Sequence, residues 1–240
     1  MIASAPQRKK GKVKLRYLIA VVIGLIGVSV LVYPTLRSWL YDQQTAYLKQ
    51  AFLERAVLVS DAASPDRDDA LYQLLKSENE RFHLTGQSGL VDAFSYQTAG
   101  IDLSAHGIED NRIGFVSVPA IKAELPIYLG ANQDNLSKGA THLTETSYPI
   151  GGPNTNAVIA AHRGVTVEMF RNIHKIQVGD QIIITNFREQ LVYQAVEIRI
   201  IHPNEIDHIK IQDGRDLITL LSCDPIGYDY QRYVLIAERI

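Results

Sequence analysis

The sequence predicts a mainly β domain, a barrel or a sandwich, carried behind an amino-terminal membrane helix and a helical stalk. Three observations lead there. Tyr17 to Leu36 is an unbroken run of 20 uncharged residues dense in Val, Ile and Leu. Apolar residues then recur at helical spacing as far as Phe82. From Gly114 onward the pattern changes to short apolar runs divided by turn signals, about seven in 127 residues.

The first element is the anchor. About 20 apolar residues at 1.5 Å rise cross a hydrocarbon core. Tyr17, Tyr33 and Trp39 lie near its ends, where an aromatic belt belongs, and Arg8, Lys9, Lys10, Lys12, Lys14 and Arg16 precede it with no acid among them. By the positive-inside rule, residues 1–16 form a cytoplasmic basic tail and everything after Arg37 lies outside the membrane. A cleaved signal peptide has the same charged start, but Val30-Leu31-Val32-Tyr33-Pro34 is bulky where a small-x-small cleavage site is required. An uncleaved anchor over 17–36 is therefore expected, with no second apolar run of that length.

With six of the 24 basic residues in that tail, the remainder holds 18 basic and 26 acidic residues, a net of −8. An acidic body argues against nucleic acid as a partner and leaves the basic tail as a topology signal. Mean hydropathy near zero and 46% hydrophobic residues suit one globular domain with additional segments.

Residues 37–112 read as an extracellular helical stalk. Leu48, Phe52, Ala56 and Val59 keep helical spacing, so the anchor is expected to continue into an amphipathic helix. A second helix starts where Ser64 can cap it, with Pro65 at its first position and Asp66, Asp68 and Asp69 complementing its dipole. Leu71, Leu74, Leu75 and Phe82 form its apolar face. Gly86 to Asp110 is polar and weakly periodic, which reads as a loop.

Residues 113–240 form the β domain. Its expected strands are Phe115–Val118, Leu125–Leu129, Ala157–His162, Gln181–Thr185, Leu191–Ile201, Leu217–Cys223 and Tyr233–Ala237, paired antiparallel, with helical pieces at Asp134–Lys138 and Thr166–Lys175. No Gly-rich phosphate loop, EF-hand pattern, HExxH or internal repeat occurs, so the sequence carries no cofactor or metal signature.

The chemistry-bearing residues sit at strand ends. Cys223, the single cysteine, ends Thr219-Leu220-Leu221-Ser222-Cys223 and is stopped by Asp224-Pro225. A lone cysteine is ordinarily a small buried hydrophobe, but an extracellular one without a disulfide partner also fits a reactive thiol. It excludes an intramolecular disulfide and any multi-cysteine zinc site. His162 ends Ala157-Val158-Ile159-Ala160-Ala161 and has the right proton affinity for a general acid and base. Arg232 opens the last strand, whose apolar residues fall on both faces. An arginine there needs an accepting partner, in a structural ion pair or as a donor fork for a developing oxyanion. His83, His106, His142, His174, His202 and His208 lie in polar or amphipathic surroundings and read as surface histidines.

Local sequence goes further. Thr219-Leu220-Leu221-Ser222-Cys223 resembles the TLxTC motif of sortases, with Ser222 for the second threonine, and Ala161-His162-Arg163-Gly164 resembles their histidine strand end. The Pro225-Ile226-Gly227 turn, the nine-residue interval from Cys223 to Arg232, and the stretches Leu125-Pro126-Ile127-Tyr128 and Pro149-Ile150-Gly151-Gly152 are most like class C, the pilin-polymerising branch. The resemblance implies an eight-stranded sortase-type β-barrel with short helices acting as a membrane-anchored cysteine transpeptidase without cofactor or metal. Cys223 would attack the Thr–Gly carbonyl of an LPxTG-like sorting signal, Arg232 would bind the oxyanion, and His162 would shuttle the proton. The acceptor would be a pilin lysine, or in a housekeeping sortase a peptidoglycan cross-bridge amine. Two departures bear on the branch. Class C lids carry Asp-Pro and an aromatic; the nearest match here is Asp92-Ala93-Phe94-Ser95, either a lid or a plain connecting loop. Many members also end in a second membrane helix. Both departures weigh toward wall anchoring.

Overall fold

The computed structural model describes residues 10–61, 65–108, 110–164 and 168–240, without the side chains of 10–14 and 56–69. Residues 1–9 of the basic tail, the Ser64 cap and residues 166–167 of the expected helical piece lie outside the described residues. Helix α1 runs unbroken over Lys10–Asp61, with Pro34 inside it. It is long and apolar enough to cross a membrane, and its most apolar stretch is not buried against the rest of the protein. The apolar run and the first stalk helix are one continuous rod. Helix α2, Pro65–Thr85, begins on its proline, and Leu71, Leu75 and Phe82 are buried as the apolar stripe requires.

Eight strands follow among the described residues: β1 Arg112–Val118, β2 Ala123–Leu129, β3 Ala140–His142, β4 Thr155–Ala160, β5 Gln181–Asn186, β6 Gln190–Ile201, β7 Asp216–Asp224 and β8 Gln231–Arg239. They close into a barrel in the order β1-β2-β3-β4-β7-β8-β6-β5. A short helix α3, Gln133–Lys138, joins β2 to β3. Within the expected loop 86–110, two single 3₁₀ turns form at Ala93–Ser95 and Leu103–His106.

Four expectations need correction. The barrel is not wholly antiparallel, because β2 pairs parallel with β3 and β4 pairs parallel with β7. The short helix between β2 and β3, and the excursion of the chain through β5 and β6 between β4 and β7, make these parallel pairs possible. Strand β3 was not expected: three residues are too few to register as alternation. Of the described part of Thr166–Lys175, residues 168–175, only Ile173–Lys175 is helical, as one 3₁₀ turn. His142 is not on the surface. It is 2% exposed at the end of β3, its Nε2 lies 3.0 Å from the Ser147 carbonyl and 3.2 Å from Thr146 Oγ1, and its ring stacks on Tyr148 at 4.9 Å. A carbonyl only accepts, so Nε2 carries the ring proton.

Side-chain alternation sorts β4, β7 and β8 between two cores. Ala157 and Ile159, Ile218 and Leu220, and Tyr233, Leu235 and Ala237 enter the larger cluster, which also receives Phe52, Leu71, Leu75 and Phe82 from the helices. Val158 and Ala160, Leu217 and Leu221, and Val234 and Ile236 enter a smaller one, which Leu90 and Ala93 complete. The three strands are thus covered on both faces, which explains their near-continuous apolar runs. Continuing the same alternation puts His162, Cys223 and Arg232 on the face of the smaller core, the face that the 90–94 segment covers.

Candidate active site

Strand register brings the three sequence-predicted residues to one end of three neighbouring strands. Cys223 and Arg232 are direct cross-strand partners in the β7–β8 pair. In the parallel β4–β7 pair, Thr155 faces Asp216 and Ala160 faces Leu221, and the Ala161 amide donates to the Leu221 carbonyl at 3.1 Å. Extending that offset sets His162 level with Cys223. His162 itself lies two residues past the end of β4 and not within it, as the sequence had implied. Ser222, facing the opposite way from Cys223, is fully buried and donates to the Ala161 carbonyl at 2.7 Å, which fastens the histidine-bearing segment to the cysteine-bearing strand.

Arg232 is 4% exposed and well supplied with acceptors. Its Nε and Nη2 donate to the two carboxylate oxygens of Asp92 at 2.7 and 2.8 Å, and its Nη1 to the Asp229 and Gln231 carbonyls at 2.5 and 3.0 Å. Nη1 also lies 3.9 Å from Cys223 Sγ. Both readings of this arginine thus have support: it is in a buried ion pair, and its fork lies beside the thiol.

The partner Asp92 belongs to the segment that was either a lid or a connecting loop. The segment covers the candidate residues by direct contact. Phe94 stacks on the His162 ring at 5.8 Å with 28° between planes, and the Arg232 guanidinium lies 5.0 Å from the Phe94 centroid. One aromatic ring therefore sits between the two basic residues. The missing proline is compensated locally. Asp92 caps the 93–95 turn by accepting from the Phe94 amide at 3.1 Å, its carbonyl accepts from the Ser95 amide at 3.0 Å, and Ala93 is fully buried.

The electrostatics of this covered state keep the site uncharged at the thiol and the imidazole. Burial pushes the Cys223 thiol above its ordinary value; Arg232 and Arg163 pull it down, while Asp92 and Asp229 add to the rise. Burial lowers the His162 imidazole, favouring its neutral form. For Arg232, burial opposes the charge but the Asp92 carboxylate outweighs it, so the guanidinium is held more firmly protonated.

Sequence reasoning missed Arg163 as a member of this cluster. It is 7% exposed, its Nη1 bonds the Asp224 carboxylate and lies 3.3 Å from the Cys223 carbonyl, and its guanidinium lies 5.5 Å from the Tyr233 ring centroid. The available signal was its adjacency to His162, together with an acid directly after the cysteine. Of the six other histidines, none contributes a contact recorded at this cluster. Among the described residues there is no group of three or more His, Cys, Asp or Glu arranged to hold a metal ion.

Comparison with known proteins agrees with this geometry. The sortase domain model matches residues 116–240. Sortase D of Bacillus subtilis (strain 168) is 28% identical over 130 residues, covering 53% of this chain and 63% of that relative, so the match spans less than two thirds of the curated relative's length. Among solved structures, Streptococcus agalactiae sortase C1 superimposes with a TM-score of 0.71 at 30% identity, covering 81% of this chain and 97% of that one. The pilus-related sortase C of Group B Streptococcus gives a TM-score of 0.68 at 33% identity, covering 78% and 94%. The match over more than half the chain, on a closed eight-stranded barrel, means that this chain belongs to the sortase family, and its likeness is to the class C branch.

Proposed function

We propose that this protein is a membrane-anchored cysteine transpeptidase that cleaves an LPxTG-like sorting signal between Thr and Gly and transfers the acyl group to a pilin lysine. The observation that carries the reading is the cross-strand pair of half-buried Cys223 and buried Arg232, Sγ and Nη1 3.9 Å apart, with His162 level with the cysteine just past the end of the adjoining strand. Opening of the 92–94 cover would free the Arg232 fork from Asp92 and expose all three side chains. Cys223, having passed its proton to His162, would attack the threonine carbonyl; Arg232 would donate to the oxygen that becomes negative. Collapse of that intermediate breaks the C–N bond, and His162 returns the proton to the departing glycine amine. The lysine amine then attacks the thioester carbon, loses a proton to His162 and releases the cysteine sulfur. The basic amino terminus would stay in the cytoplasm, with the barrel outside the cell.

Pilin transfer is favoured over wall anchoring by the Asp92–Arg232 pair and the Phe94 ring, the two parts of a class C lid, and by the pilus-related name of a structural neighbour. The test incubates the protein in detergent with candidate LPxTG-bearing pilins and separately with triglycine. Covalent ladders that require one pilin lysine, and that vanish in Cys223→Ala, are the expected result. Products with triglycine alone would move the protein to wall anchoring, and full activity in Cys223→Ala would overturn the transpeptidase reading itself.

A further inference from the structure

The Cys-His-Arg set leaves one buried cation at the site without a part in the chemistry. Arg163 follows His162 directly, and its side chain is only 5% exposed. Its Nη1 bridges the Asp224 carboxylate and the Cys223 carbonyl, so it grips the peptide unit that carries the thiol. Its guanidinium lies over the ring of Tyr233, the residue after Arg232. A single planar group thereby touches the ends of β4, β7 and β8, the three strands that bear His162, Cys223 and Arg232. Its Nε is buried and has no hydrogen-bond partner among the described residues. Burying an arginine with one donor unmet is costly, and a lysine or an apolar residue would fill the volume with fewer unmet groups. Planarity and a forked set of donors are what this position uses.

We infer that Arg163, paired with Asp224, is a positioning residue for Cys223: it fixes the backbone of the cysteine relative to the histidine-bearing segment and supplies a permanent positive charge behind the thiol. This rests on the transpeptidase reading, and acts through Cys223 without touching substrate. The charged groups acting on the thiol are Arg232 and Arg163 in its favour and Asp92 and Asp229 against it, with Asp92 leaving when the cover opens. In the open state the two arginines would face Asp229 alone. Charge at Arg163 then matters most at the moment when the thiolate is needed.

The experiment measures, for the full chain in detergent, the pH dependence of Cys223 alkylation by iodoacetamide, and kcat and KM on a fluorogenic LPxTG peptide. It compares wild type, Arg163→Gln, Arg163→Lys, Asp224→Asn and Cys223→Ala. A positioning role moves the alkylation midpoint up in Arg163→Gln and down in Asp224→Asn, where Arg163 loses its counter-charge. It lowers kcat by about 10- to 100-fold in Arg163→Gln, with KM within about threefold, on the scale expected for misplacement of a reacting group. Arg163→Lys restores the alkylation midpoint but only part of kcat, since it keeps the charge without the fork. A purely structural role predicts lower thermal stability with unchanged midpoint and kcat for the folded fraction, and that result overturns the inference. Should Arg163→Gln fail to fold, Arg163→Lys decides alone: a kcat below wild type with KM and midpoint unchanged supports the role, and a wild-type kcat sinks it. Cys223→Ala separates the two readings. If it retains cleavage, the transpeptidase assignment fails; if it is dead while Arg163→Gln turns over like wild type, only the positioning role fails.

Discussion

The surroundings of Cys223 favour the thiol over the thiolate. Burial raises the thiol, and the Asp92 carboxylate that neutralises Arg232 raises it further. Wild-type alkylation should therefore rise with pH through a midpoint above the ordinary thiol range of about 8.5. Asp92→Ala removes one carboxylate near the sulfur, unpairs Arg232 and unfastens Phe94. Its midpoint should move down and its rate at pH 7 should rise about tenfold, measured by iodoacetamide modification followed by mass spectrometry. Equal rates would mean that Asp92 does not gate the thiol. His142 gives a second prediction, for stability. Burial depresses its pKa from 6.5 to about 4, partly offset by its bonds to Ser147 and Thr146. The unfolded chain therefore takes up the proton first as pH falls. Stability attributable to this group is complete above about pH 6.5, declines through the window down to about 4, and is level below it. The full decline is at most about 3 kcal/mol. Denaturant titrations from pH 7 to 4 should show this slope in wild type and lose it in His142→Gln.

Which elements were readable in the sequence follows from how they are stabilised. Strands β4, β7 and β8 are buried on both faces, so their apolar runs were visible, and the three candidate residues stood at or within two residues of their ends. Strand β3 was invisible because Ala140, Thr141 and His142 carry no alternation, and they are extended only because β2 and β4 flank them. His142 was misread for the same reason: its sequence neighbours are polar, and its burial comes from Tyr148 and the 146–147 turn. The cover at 92–94 was legible as a motif, but not its closure, which depends on a bond from Asp92 to a residue 140 positions away. The barrel was implied by the sortase resemblance, but the seam that closes it was hidden. Gly114 in β1 crosses β5 so tightly that a Cβ there would stand 2.3 Å from the Thr185 carbonyl oxygen, and the β1–β2 register shifts beside it. That contact is with backbone, which has no side chain to rotate away. Gly114→Val should thus pry open the β1–β5 seam, with loss of several kcal/mol by the scale of core overpacking and broken ladder bonds. A melting temperature within about 2 °C of wild type would refute the seam as a closure point.

At the scale of the molecule, α1 decides where the site can work. Its 52 residues extend about 78 Å at 1.5 Å per residue, of which a membrane core takes only about 30 Å. The barrel docks on the helix shortly after the apolar run ends at Leu36. Tyr41 donates to the Lys138 carbonyl at 2.9 Å, Lys49 pairs with Glu124, and Phe52 is 7% exposed with its ring edge-on to Phe115 at 5.5 Å. The helix that carries the apolar run thus packs directly on the barrel. With the anchor in the bilayer as proposed, the rod would hold Cys223 at one height above the lipid, the height at which a membrane-tethered substrate tail must present its scissile bond. Phe52 is the deepest of the three fastenings. Phe52→Ala leaves a cavity in the shared core, at about 3–5 kcal/mol for a buried phenylalanine, and frees the barrel to pivot on what remains. The chain's single thiol gives the measurement. With a fluorophore on Cys223 of the full chain in nanodiscs, energy transfer to headgroup-labelled lipid should report one narrow distance distribution in wild type and a broader one in Phe52→Ala. If both chains give the same narrow distribution, the height is set by something other than the helix–barrel contact. If both are broad, the rod does not fix the site at all.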